Sequence, residues 1–272
     1  MMRFISTTAV LWCIILVGAS VNAFASNLMV TQGALTIQDA AWAYNEGIRL
    51  EGNWCFAPGT FVGSEVWSEA RRGCDQMIEV PSAWKWKDFE QKSGSMWQGG
   101  RGFGSYFMIL RWPDGPVSRL AISWQRVFSA TATYLYNEDG ELIVDPVFQG
   151  RPGKSISESV PVATSHVAPF SIRDRREVLL VMHVSNFRNR RGGIYFAPTL
   201  SSEETAQQTL LSQRLIDMVV FGVFVVVVLY HLILFFQRRD DPVPALFALF
   251  CAGIALRLGS MAHFVESIGI GR

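Results

Sequence analysis

VLLVMHV, residues 178–184, is apolar at every position but His183. A strand that is apolar on both of its faces belongs in the middle of a sheet with neighbours above and below. Working outward, other segments alternate instead. Ile48, Leu50, Trp54 and Phe56 share one parity across IRLEGNWCF, with Gly52 as the candidate bulge. Tyr106, Met108, Leu110 and Trp112 alternate before a Pro113-Asp114-Gly115-Pro116 turn. Leu120, Ile122, Trp124 and Phe128 do the same, with Arg126 breaking the apolar series. Tyr134 to Tyr136, the Asn137-Glu138-Asp139-Gly140 turn and Glu141 to Val144 predict a hairpin. No long helical period occurs between residues 45 and 200. The expected fold is mainly β, an antiparallel sandwich.

Beyond the strands the pattern changes. Ser201-Ser202-Glu203-Glu204 opens a helix, with Ser201 and Glu204 at capping-box spacing. No Pro or Gly interrupts residues 205–221, so the helix is expected to run unbroken as a stiff lever; a flexible linker is the alternative. MVVFGVFVVVVLYHLILFF, residues 218–236, carries no formal charge, and fifteen of its nineteen residues are Val, Leu, Ile or Phe. As a helix it spans ~29 Å, close to the ~30 Å hydrocarbon core of a bilayer. Insertion of those fifteen side chains is worth roughly −5 to −9 kcal/mol. The reading is a transmembrane helix over 215–237, set against the alternative of a buried helix in a soluble protein. A second apolar run, 243–264, follows a QRRDDP loop. Its central Arg257 costs ~2.5–3.5 kcal/mol in a bilayer and needs a partner or a water-filled cavity.

The amino terminus gives the side of the membrane. Arg3, the apolar stretch from Phe4 to Ala19 and Ala23-Phe24-Ala25 read as a signal peptide over 1–25. Arg238 and Arg239 just after the apolar run favour the cytoplasmic side. Residues 26–214 are then exported, and the expected location is a bacterial inner membrane with that segment in the periplasm. A formal net charge of +1 argues against a nucleic-acid partner.

The four cysteines are Cys13, Cys55, Cys74 and Cys251. Cys55 and Cys74 both lie in the exported part, where one disulfide would be worth ~3 kcal/mol; two buried thiols are the alternative. No histidine sits near either cysteine, which argues against a metal site. His166 and His183 occur in unrelated contexts, and no nucleophile elbow, zincin, P-loop or dinucleotide fingerprint is present. The chain is expected to be no enzyme and to need no cofactor.

Ligand contacts are expected from three residues. Trp86 and Trp97 lie in a Gly- and Ser-rich stretch, 85–105, and either stack on sugar rings or anchor the loop. Arg126 either pairs with a carboxylate or reaches an anionic or hydroxylated ligand. Trp54, Trp84 and Tyr106 read as core. Two basic turns, Arg173, Arg175, Arg176 and Arg188, Arg190, Arg191, flank the central strand. They form a solvated face or meet anionic glycans or lipid headgroups.

The order of motifs adds a resemblance. Gly52-Asn53-Trp54 is followed by Val80-Pro81-Ser82-Ala83-Trp84 and by Gly102-Phe103-Gly104-Ser105-Tyr106; Tyr134-Leu135-Tyr136-Asn137 and Val184-Ser185-Asn186-Phe187 come next. This series resembles the galactose-binding-like jelly rolls that accompany glycosidases. Such domains also form the extracellular part of 7TMR-DISM receptors, bacterial seven-transmembrane receptors with diverse intracellular signalling modules. The apolar segment resembles that family's first span. The resemblance implies a periplasmic jelly-roll β-sandwich over 26–200, a juxtamembrane helix over 201–214 and transmembrane α-helices. It further implies a sensor for a small molecule, possibly a carbohydrate. The family's remaining spans and output module are not in this sequence, so a fragment, or partner helices or a homodimer, is expected. The alternatives are an anchored carbohydrate-binding module and a glycosidase accessory domain.

Overall fold

The computed structural model describes residues 28–37, 47–84, 100–112, 119–125, 127–162, 165–171 and 176–261. Strands β1 (Ala34–Thr36), β2 (Ile48–Arg49), β3 (Gly52–Pro58) and β4 (Met77–Val80) come first, with a 3-10 turn at Ser64–Val66 and helix α1 (Trp67–Arg72) before β4. Then follow β5 (Gly102–Arg111), β6 (Leu120–Trp124), β7 (Ala130–Tyr136) and β8 (Val147–Gln149). β9 (His166–Phe170), β10 (Glu177–Asn186) and β11 (Thr199–Ser202) complete the strands, and α2 (Glu203–Gln237) and α3 (Val243–Met261) end the described chain.

The strands make two sheets. The larger runs β4-β3-β5-β10-β7-β8 with β1 also on β5, and the smaller runs β2-β11-β6-β9. Strand pairing is antiparallel with one departure from expectation: β1 pairs parallel to β5, from Ala34 opposite Ile109 to Thr36 opposite Arg111. It occupies the edge of β5 beyond the stretch, Gly104–Phe107, that pairs with β3.

Residues 178–184 lie in β10, between β5 and β7. Val178, Leu180, Met182 and Val184 face Leu120, Ile122 and Trp124 of the small sheet in the main core. Leu179 and Val181 point the other way, into a second cluster with Phe107, Ile109, Val62, Val66, Trp67 and Ala70. The strand is apolar on both faces because both faces are covered, one by the small sheet and one by the segment 62–74. Cys74 ends this cover and is disulfide-bonded to Cys55 of β3, with Cα atoms 5.6 Å apart. The cover was not legible as a helix, since α1 has six residues, fewer than two turns.

Three local expectations need correction. Gly52 is a corner, not a bulge: β2 belongs to the small sheet and β3 to the large one, so the shared parity of Ile48 to Phe56 spans a crossing between sheets. Gly52 has φ +124° and lies against the backbone of Val30, where a Cβ would collide. Phe128 leaves the alternation, for Val127 is the residue buried in the core. The hairpin after β7 turns at Asn137–Gly140, yet its returning strand is β8; Leu142 makes only an isolated bridge to Tyr136.

The helix also starts one residue later than the capping box predicts. Ser202, the last residue of β11, is the N-cap, and its Oγ accepts from the Thr205 N–H at 3.1 Å. Strand passes into helix with no linker. α2 then runs 35 residues, about 52 Å at 1.5 Å per residue. It pairs with α3, whose small residues Ala248, Cys251 and Ala255 are buried at the contact. In the apolar stretch, side chains away from that contact point outward, with Val219, Val226 and Leu229 at 67%, 65% and 55% exposure. By length and composition, α2 is the one helix among the described residues that is long and apolar enough to cross a membrane.

Candidate functional site

The site is built where the sandwich meets α2. β11 runs antiparallel to β6, from Thr199 opposite Ser123 to Ser202 opposite Leu120, so α2 begins beside Leu120. Ten residues on, Gln213, Ile216 and Asp217 of α2 line a cleft with Gln125, Phe128, Ser165 and Phe196, beyond the opposite end of β6. The helix therefore doubles back along the small sheet before it leaves the sandwich. Leu120, Ile122 and Trp124 face the core, which puts Ala121 on the outer face toward the helix. Ala121, Ser201 and Ala206 are all buried, and their small side chains let helix and sheet approach closely. Glu203 and Glu204 occupy the first turn, where the helix dipole favours negative charge. The cleft left between helix and loops has a volume of about 380 Å³.

The loops around that exit are held by buried amides. Asn186 donates from Nδ2 to the carbonyls of Gly100 and Asn189 at 2.8 and 2.9 Å. Its Oδ1 accepts from Asn189 N–H at 3.0 Å and Ser129 Oγ at 3.3 Å, so one side chain ties three loops together. Gln149 does the same from β8, accepting from Trp124 Nε1 at 3.2 Å and donating to the Val127 and Val162 carbonyls at 3.1 and 2.8 Å. Unpaired, these buried groups would each cost about 1–3 kcal/mol. Under the loops, Trp84 Nε1 donates to the Tyr106 hydroxyl at 2.5 Å, and Phe56 lies 4.8 Å from the Tyr106 ring. Burial pushes the Tyr106 phenol far above its ordinary range. Trp54, Trp84 and Tyr106 are core residues and offer no surface to a ligand.

Trp86, Trp97 and Arg126 lie outside the described residues. Their described flanks are all at the helix-exit end: the Trp84 N–H meets the Gly192 carbonyl, Gly100 is held by Asn186, and Gln125 lines the cleft.

A second cluster, which the sequence reading did not connect, sits on the outer face of the large sheet. His183 stacks on Phe61 with centroids 4.6 Å apart and contacts Tyr134 at 4.7 Å. Its Nε2 meets the Val62 carbonyl at 2.7 Å, which calls for a proton on that nitrogen. Burial lowers the imidazole pKa, outweighing the Val62 hydrogen bond and the nearby Glu65, so the ring is neutral near pH 7. The signal available was period 2: Tyr134, Tyr136 and His183 each occupy the outward parity of their strand. Among the described residues no group of three or more His, Cys, Asp or Glu side chains is placed to hold a metal ion.

No protein-family model matches this chain, and no curated protein matches it in sequence. Solved structures with partial likeness include a GH2 β-galacturonidase from Eisenbergiella tayi, at 12% identity over 59% of this chain and 25% of that chain, TM-score 0.35. A β-glucuronidase from Parabacteroides merdae matches at 17% identity over 56% and 21%, TM-score 0.35. A calcium-binding mutant of Bacteroides uniformis β-glucuronidase 2 matches at 16% over 56% and 17%, TM-score 0.36. The chain spans a quarter or less of these three enzymes' lengths. Likeness of this extent carries no argument about activity or ligand.

Proposed function

We propose that this protein is a membrane-anchored periplasmic sensor of the 7TMR-DISM kind, with a jelly-roll sandwich that binds a small, carbohydrate-like ligand. The observation that carries the reading is the junction: β11 becomes α2 at Ser202 without a linker, and the apolar half of α2 is unburied. A soluble protein leaves no such surface in water, because burying it is worth ~25 cal/mol per Å². A bilayer covers it. The ligand site is assigned to the loops at the helix exit, with Trp86, Trp97 and Arg126 as contacts. Occupancy there would act on the docked turns of α2. It transmits only so far as the ligand favours one arrangement of the helix over another.

The test has two parts. A reporter enzyme that works only in the periplasm, fused after Gln213, is active on this reading, and the full chain stays in membranes washed with alkaline carbonate. An inactive reporter, or a chain released by carbonate, removes the anchored reading. Thermal-shift measurements on the detergent-purified chain with a panel of neutral and acidic sugars then address the ligand. A stabilising sugar should lose its effect in Trp86→Ala and Trp97→Ala.

A further inference from the structure

The two ends of the sandwich differ in how their charges are handled. At the end away from the helix exit, two arginines share one carboxylate. Arg71 and Arg111 each meet Glu177 at 2.8 Å, and partial burial of that carboxyl is outweighed by the two partners, which hold its pKa below the usual range. The turn there carries Glu138, Asp139 and Glu141.

The helix-exit end is the reverse. Its described loops expose Arg101, Arg151, Lys154, Arg188, Arg190 and Arg191, and none of these pairs with a carboxylate among the described residues. The sole carboxylate in those described loops, Glu158, accepts from the Lys154 backbone N–H at 2.9 Å. Two large apolar side chains stand out among these cations, Ile156 at 61% exposure and Phe196 at 52%. Arg191 is close enough to Tyr195 to oppose the rise in phenol pKa that burial causes, and Tyr195 packs edge-on to Phe128 at 5.1 Å. Cations and aromatics therefore share one surface.

That surface has a fixed height on α2. Phe128 and Phe196 line the cleft with Ile216 and Asp217, and Met218, the next residue, opens the charge-free run. One helical turn is ~5.4 Å, so Phe128 and Phe196 stand within about a turn of where the charge-free run begins, and Phe128 bridges Gly193, two residues from Arg191. Anionic headgroups attract basic residues within roughly a Debye length, ~8 Å at physiological ionic strength. Aromatic rings and exposed apolar side chains favour the same interfacial layer.

We infer that the helix-exit end of the sandwich is a docking surface for anionic phospholipid headgroups of the leaflet it faces, with Arg188, Arg190 and Arg191 as headgroup contacts and Phe196 as an interfacial wedge. The inference rests on the anchored reading above and adds a second attachment to it. The sandwich rests on the bilayer by this end instead of standing clear of it, so the lipid surface borders the ligand loops.

The experiment uses the full chain with Cys13 and Cys251 replaced by alanine and the Cys55–Cys74 bond intact. A nitroxide is placed in turn at Phe196→Cys, Leu142→Cys at the opposite end and Val223→Cys in the apolar run. Each protein is reconstituted in vesicles of phosphatidylglycerol with phosphatidylethanolamine, or of phosphatidylcholine alone, and collisions with oxygen and with a water-soluble nickel complex are compared. In phosphatidylglycerol the label at 196 should lose nickel exposure several-fold relative to phosphatidylcholine, and the label at 142 should not change. Replacing Arg188, Arg190 and Arg191 together by glutamine should remove the difference at 196. A label at 196 as nickel-exposed as that at 142, or indifference to the glutamines, overturns the docking surface while the 223 label still reports lipid. A 223 label bathed in nickel complex removes the anchored reading, and the docking surface with it.

Discussion

Two stretches of this chain are almost equally apolar, and their surroundings are opposite. Leu179, Leu180, Val181 and Met182 of β10 are 0% exposed, closed in by the small sheet on one side and the disulfide-tethered cover on the other. Val219, Val226 and Leu229 of α2 point outward at more than half exposure. The same residue types are therefore covered by protein in one place and left uncovered by it in the other. Length separates them: seven residues of strand reach ~23 Å inside a domain, while nineteen of helix match a bilayer. Composition alone does not distinguish a buried run from an uncovered one; run length and the presence of a covering partner do.

The sharpest way to break that contrast is to shave the same side chain in both places. Leu180→Ala should lower unfolding free energy by about 2–5 kcal/mol through lost burial and a cavity, whereas Leu229→Ala should change it by less than about 0.5 kcal/mol. Urea unfolding of the detergent-solubilised chain, followed by near-ultraviolet circular dichroism, measures both; equal losses would mean α2 is a core helix. A second cut tests the cover over β10. Cys55→Ala with Cys74→Ala should cost about 3 kcal/mol, and an unchanged urea midpoint would show that segment 62–74 holds without its tether.

A smaller effect is expected at the junction that joins the two regions. Ser202→Ala removes the N-cap and should cost about 1 kcal/mol, read as faster amide exchange in the first turns of α2 with β10 unaffected. The smallest effect is a pH dependence from the outer face. His183 is held below its ordinary pKa of 6.5 by burial, so the unfolded chain binds more protons there. Stability should therefore fall as pH drops through about 6.5 and level off below the folded-state value. His183→Gln should flatten the profile across that window, and an identical slope would sever the imidazole from it.

The strand periodicities were readable because they report one-sided or two-sided burial directly. The inward set Tyr106, Met108, Leu110 and the two-faced run 178–184 are cases where parity and core agree. Where topology intervened, parity misled. Ile48 and Trp54 share a phase because both face one core, yet they sit in different sheets, and nothing local marks the crossing except Gly52. The parallel β1, three residues long, pairs with a partner more than seventy positions away, and no local pattern encodes that. Of the expected site residues, Cys55 and Cys74 are brought together, whereas Trp86, Trp97 and Arg126 lie outside the described residues. The staples Asn186 and Gln149 were invisible as such, because an amide in a sequence does not reveal which carbonyls will surround it.

Because the last residue of a sheet also caps the helix, the sandwich has no natural cut site at its apparent border. Trimming the chain after Leu200 would strip Leu120 and Ala121 of their partners Ser202 and Ser201 and bare the backbone of a strand that now lies inside the small sheet. Such a fragment invites edge-to-edge aggregation. Exchange of this sandwich between proteins, by an engineer or by recombination, is thus expected to work only when the breakpoint falls within the helix, past Gln213, so that the donor brings its first three turns along.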